Sequence, residues 1–88
     1  MIYVDTTRPG DKEVSGVGPG TLETNSDGTV SVKLSSGYFS LDAFGNVYTD
    51  KAEAHGDESF LLTTDKRALV SISTFAGYKV RILPLVDA

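Results

Sequence analysis

Thr29-Val30-Ser31-Val32-Lys33-Leu34-Ser35 is the stretch whose reading decides the fold. Val30, Val32 and Leu34 alternate with Ser31, Lys33 and Ser35. A period of two sends apolar side chains to one face of a strand and polar ones to the other. Asn25-Ser26-Asp27-Gly28 precedes the stretch, and Asp-Gly is a strong hairpin turn because glycine accepts the positive φ such turns require. After a break at Ser36-Gly37 the pattern resumes in Phe39-Ser40-Leu41. Past a turn at Phe44-Gly45-Asn46 it returns in Val47-Tyr48-Thr49. Further strands are expected over residues 59–64, 69–73 and 78–83, with a turn at Asp65-Lys66-Arg67. Strands at roughly ten-residue intervals predict an all-β chain, a small antiparallel barrel or sandwich of short strands. Asp50-Lys51-Ala52-Glu53-Ala54-His55 alone has helical composition. It is too short for a stable helix unaided, so a single turn or loop is expected there.

Residues 1–20 differ in character. They hold two of the three prolines (Pro9, Pro19) and four of the nine glycines (Gly10, Gly16, Gly18, Gly20). Arg8-Pro9-Gly10-Asp11 and Val17-Gly18-Pro19-Gly20 are turn signatures, proline presetting φ and glycine accepting φ above zero. The expected organisation is an extended Gly/Pro-containing arm over 1–20 and a β domain over 21–88. Ile2-Tyr3-Val4 would add as a strand to a neighbour, with Val14 and Val17 as small anchors. Ile2, Tyr3, Val4, Val14 and Val17 are therefore the candidate partner contacts.

Composition narrows the function classes. Eighty-eight residues make a single domain with a thin core, burying only about 60% of the surface its unfolded chain exposes. There is no cysteine, so neither a disulfide nor a thiolate metal site is available. Eight Lys/Arg against twelve Asp/Glu give a net charge of −4. The basic residues are scattered and only Lys66-Arg67 are adjacent, which disfavours direct nucleic-acid binding. No signal-peptide core and no apolar run of membrane length is visible, so synthesis in the cytoplasm and no membrane partner are expected.

A shift of 40 residues brings Leu22 onto Leu62, Thr24 onto Thr64, Val30 onto Val70, Ser31 onto Ser71, Val32 onto Ile72, Gly37 onto Gly77 and Tyr38 onto Tyr78. Either this is an internal repeat or it is a coincidence among residues abundant in any β protein. Within residues 36–82, Ser36-Gly37-Tyr38-Phe39-Ser40-Leu41-Asp42, Gly45-Asn46-Val47, Asp50, Gly56 and Phe60-Leu61-Leu62 resemble a fascin-type β-trefoil repeat. The resemblance implies trefoil-like repeat units and informs the fold alone. A trefoil needs three such units and this chain holds two at most. Another chain completes the barrel, or the barrel is incomplete, or the pattern is a generic β-meander. No residue here matches a basis for actin bundling, and the absence of Trp leaves no sugar-reading Gln-x-Trp element.

Residues suited to catalysis are sparse. The single histidine, His55, lies in Glu53-Ala54-His55-Gly56-Asp57-Glu58, which reads as a solvated acidic loop. No Ser sits in a Gly-x-Ser-x-Gly elbow. Glu23-x-Asn25-x-Asp27-Gly28 superficially matches the start of a calcium loop, but Leu34 stands where the closing Glu belongs. Gly16-x-Gly18-x-Gly20 lacks the Lys-Ser/Thr pair of a phosphate loop. No catalytic residue, metal site or cofactor is expected.

The expected function is that of a non-enzymatic structural or interaction protein. A small component of a larger assembly fits best, such as a bacteriophage virion decoration or head- or tail-associated protein. Its partners would be copies of itself, as a homo-oligomer with a trimer as one form, and the larger assembly. Two alternatives stand beside it. One is a carbohydrate- or ligand-binding module stacking its ligand on Tyr38, Tyr48 and Tyr78, and the other is a small inhibitor or regulator of one enzyme.

Overall fold

Val30, Val32 and Leu34 do point to one side, and that side is the interior of a closed barrel. The computed structural model of the chain describes residues 1–7, 10–42, 46–54, 56–71 and 81–87. Its strands are β1 (Ile2–Asp5), β2 (Gly16–Thr24), β3 (Val30–Leu34), β4 (Gly37–Leu41), β5 (Val47–Lys51), β6 (Phe60–Leu62), β7 (Ala68–Ser71) and β8 (Ile82–Asp87). A 3-10 turn at Gly56–Glu58 is the helical element among the described residues. Neighbouring strands pair antiparallel in the order β2-β1-β8-β7-β6-β3, and the β2–β3 pairing closes the ring. Closure leaves no free edge around that ring of strands. β4 and β5 are the two extra strands, attached to β3 through the Leu34–Gly37 hairpin.

The core is filled by Val4, Val30, Val32, Leu34, Phe39, Leu41, Phe60, Leu69 and Leu83. Burial of each such large side chain contributes about 1.5–3 kcal/mol. Phe39 on β4 stacks on Phe60 of β6 with ring centroids 5.2 Å apart, which packs the extra hairpin onto the barrel. Gly20 makes the β2–β3 approach possible: a Cβ there would lie 2.8 Å from Val32 Cγ1 and 2.9 Å from Leu34 Cδ2. Polar groups in the core are paired, and no buried side-chain nitrogen or oxygen of the described residues lacks a hydrogen-bond partner. Asn25 Nδ2 donates to Thr29 Oγ1 and Ser31 Oγ, clasping the turn before β3, and Ser40 Oγ donates to Glu58 Oε2.

The first twenty residues do not stand apart from this barrel. β1 runs between β2 and β8, and β2 itself begins at Gly16. Val4 is fully buried opposite Val17 and Leu85, so the segment expected as an extended arm supplies two barrel strands.

The last strand also differs from expectation. It runs over Ile82–Asp87, past the expected end at 83 and through Pro84, a residue that ordinarily argues against an interior strand. The Leu85 N–H donates to the Arg67 carbonyl at 2.7 Å. The neighbouring Ala68–Pro84 pair is then a non-hydrogen-bonded one that asks position 84 for no N–H toward β7.

In the 40-residue comparison, Leu22 and Leu62 both pack against the core. Val30 points inward opposite Phe60, however, whereas Val70 lies opposite Leu61 on the outside. Ile72, Gly77 and Tyr78 of that comparison lie outside the described residues, as do Arg8-Pro9, Phe44-Gly45, His55 and the expected strand residues 78–80.

A candidate docking face on the barrel

Residues directly opposite in an antiparallel pair share a face. Along β8 the outward positions are Ile82, Pro84 and Val86, all exposed. Ile82 faces Val70 on β7, and Val70 faces Leu61 on β6, giving an apolar row across three strands. Pro84 faces Ala68, and Val86 faces Tyr3 on β1. The Tyr3 ring lies over Gly18 of β2, where an added Cβ would come within 2.6 Å of Tyr3 Cδ1. Leu61, Ile82, Val86 and Tyr3 are 49, 67, 55 and 40% exposed.

The opposite flank is built differently. Outward positions on β2, β3 and β4 hold Thr21, Glu23, Lys33 and Tyr38. Lys33 Nζ sits 4.5 Å from the centre of the Tyr38 ring, and the Tyr38 hydroxyl donates to Glu23 Oε1 at 2.7 Å. That bond, with a smaller effect of burial and of the nearby carboxylate charge, raises the Tyr38 pKa above the ordinary phenol value. One flank is a solvated polar network and the other an apolar sheet face. Asp5, at the end of β1, accepts from the Thr7 N–H at 2.9 Å through its carboxylate. Hydrogen bonds from Thr7 hold Asp5 below the ordinary carboxylate range. Arg81 ties the corner of the flank, donating to the Thr6 carbonyl at 3.1 Å and the Thr7 carbonyl at 3.4 Å.

The five sequence-derived contact residues separate in this structure. Val4 is in the core, and Ile2 and Val17 pack against it half-buried. Val14 is 87% exposed on the segment between β1 and β2, away from any strand. Tyr3 alone joins the apolar flank. Leu61, Val70, Ile82, Pro84 and Val86 were missed, although Ile82-Leu83-Pro84-Leu85-Val86 carries a readable signal. An unbroken apolar run in a strand means both faces are apolar, and only one of them can be the interior of a barrel.

The tyrosines of the ligand-stacking alternative are already engaged: Lys33 covers Tyr38, and Lys51 Nζ lies 4.5 Å from the centre of the Tyr48 ring. Tyr78 lies outside the described residues. An open groove of about 570 Å³ runs between Ser15, Gly16 and Val17 on one side and Asn46, Val47 and Tyr48 on the other. Its ionisable side chains are Asp11 and Tyr48. Among the described residues no group of three or more His, Cys, Asp or Glu is placed to hold a metal ion. Comparison with protein-family models, with curated proteins and with solved structures gives no match.

Proposed function

We propose that the chain is a non-enzymatic interaction protein, a small structural component that packs into a larger protein assembly through the apolar flank of β6, β7, β8 and β1. The observation that carries this reading is the outward row Leu61–Val70–Ile82 together with Val86–Tyr3. Exposed apolar side chains that run side by side across neighbouring strands resemble the centre of a protein–protein contact. The distribution of charge supports the same reading, since depletion of charged residues marks the centre of interfaces.

The test is a photo-crosslinking amino acid placed at Ile82, with the same amino acid at Thr21 as the comparison. In cells that make the protein naturally, the Ile82 position is expected to give discrete protein adducts and the Thr21 position few. Equal labelling from both positions, or none from Ile82, would overturn the reading.

A further inference from the structure

We infer that the open groove between β2 and β5 is a binding site for an extended peptide, which lies between the two as an added strand and carries a basic side chain at its Asp11 end. The groove is separate from the apolar flank, so either surface can fail its test without the other.

Both walls of the groove are strand edges. β2 closes the ring by pairing residues 21–24 with β3, so its earlier half, paired with β1 on one side, runs beyond β3 on the other. β5 pairs with β4 and with no second strand among the described residues, and it is exposed along its length. The ladder fixes which way the peptide groups point. The Thr6 N–H donates to the Ser15 carbonyl at 3.0 Å, which makes Val4–Val17 a bonded pair too. Gly16, opposite Asp5 between them, therefore turns its N–H and C=O away from β1. On the other wall the Asp42 N–H donates to the Asn46 carbonyl at 3.1 Å, so Val47, opposite Leu41, turns its N–H and C=O away from β4. Gly16 and Val47 both line the groove. A chain laid between them meets a backbone donor and acceptor on either side, which is the requirement of strand addition.

Size and charge fit the same occupant. At about 3.3 Å along a strand, about 4.8 Å between strands and about 10 Å between sheets, one extended residue fills roughly 160 Å³. The groove, at about 570 Å³, takes about three to four of them. Asp11 is the carboxylate among its lining residues and the chain carries −4, which favours a cationic side chain at that end.

The probe is a displayed library of random seven-residue peptides, panned on the intact chain, with the enriched sequence then made synthetically. Enriched peptides should carry Lys or Arg, and on titration into the ¹⁵N-labelled chain they should shift the Gly16 and Val47 amides and leave Thr21 and Ile82 in place. Val47→Pro deletes an N–H that the β4–β5 ladder does not use, and should weaken binding about tenfold with circular dichroism unchanged. Should Val47→Pro fail to fold, N-methylation of the peptide makes the same test from the other side: methylating either alternate set of its amides should weaken binding about tenfold, because one set faces β2 and the other β5. A library that enriches nothing, shifts centred on Ile82, or binding that survives methylation of one set would overturn the inference. Gly16 and Val47 amides that shift with protein concentration alone would put a second copy in the groove and overturn it as well.

Discussion

Tyr3 on β1 lies directly opposite Val86 on β8, on the outside of the barrel, where the two are 40 and 55% exposed. Their neighbours in the chain, Val4 and Leu85, form the next pair and point inward, Val4 with no exposure at all. One step along the strand thus separates residues that hold the fold from residues available to a partner. Both kinds are apolar, so sequence composition does not distinguish them, but mutation does.

The contrast is sharpest along β8. Leu83→Ala opens a cavity in the core and should lower unfolding free energy by about 2–5 kcal/mol. Ile82→Ser, one residue away and 67% exposed, should change it by less than about 0.5 kcal/mol in dilute solution. Urea denaturation of the two variants at low protein concentration measures the difference. Similar losses in both would mean that Ile82 belongs to the core.

Gly20 is a second point of discrimination. An added Cβ would meet Val32 Cγ1 at 2.8 Å, Leu34 Cδ2 at 2.9 Å and the Lys33 carbonyl at 3.2 Å. Gly20→Ala should therefore destabilise by about 1–3 kcal/mol through overpacking. At Gly28, where nothing lies within 4 Å, lost φ freedom rather than crowding would carry the cost of the same change. Thermal melts of Gly20→Ala, compared with the intact chain, give the measurement, and an unchanged midpoint would count against the packed β2–β3 approach.

Much of this was legible in the sequence, for a definite reason. Val30-Ser31-Val32-Lys33-Leu34 alternates cleanly because the outward side of β3 faces a polar network, so period two survives in the letters. β8 does not alternate because its outward side is apolar as well, and Pro84 further disguised it as a place where a strand stops. Of the turns expected in residues 1–20, Val17-Gly18-Pro19-Gly20 instead lies within β2, and Ile2–Asp5 is held by partners at residues 16–20 and 85–87. Pairing at that sequence distance leaves no local trace. The docking face inherits the same difficulty, since β6, β7 and β8 follow one another in the chain but β1 joins them from its other end.

Acid should weaken the fold through its turns. Asp5, Asp27 and Asp65 are each held below the ordinary value of 3.8, chiefly by hydrogen bonds from Thr7, Thr29 and Thr63. A folded pKa below the unfolded one contributes stability that is present above 3.8 and lost as pH falls through the folded values. The melting temperature should therefore drop as pH goes from about 5 to about 2, and Asp27→Ala should flatten part of that slope. A slope identical to that of the intact chain would exclude the Asp27–Thr29 bond as a contributor.

At the alkaline end the sign reverses. The Tyr38 pKa is raised above 10.0, first by its hydrogen bond to Glu23. Its contribution is complete below 10.0 and is lost as pH rises through the higher folded value. Ultraviolet titration of the tyrosines should show a late phenol, and Glu23→Ala should bring it to lower pH. A late phenol that persists in Glu23→Ala would assign the shift to another residue.

The central claim, that the apolar flank around Pro84 is a protein contact surface, meets its most direct test in thiol labelling, since the chain has no cysteine of its own. Pro84→Cys and Thr21→Cys place single thiols at the middle of the apolar flank and on the polar one. In extracts of cells that make the protein, Pro84→Cys should react with a soluble maleimide at least tenfold more slowly than Thr21→Cys. Equal rates for the two would contradict the account.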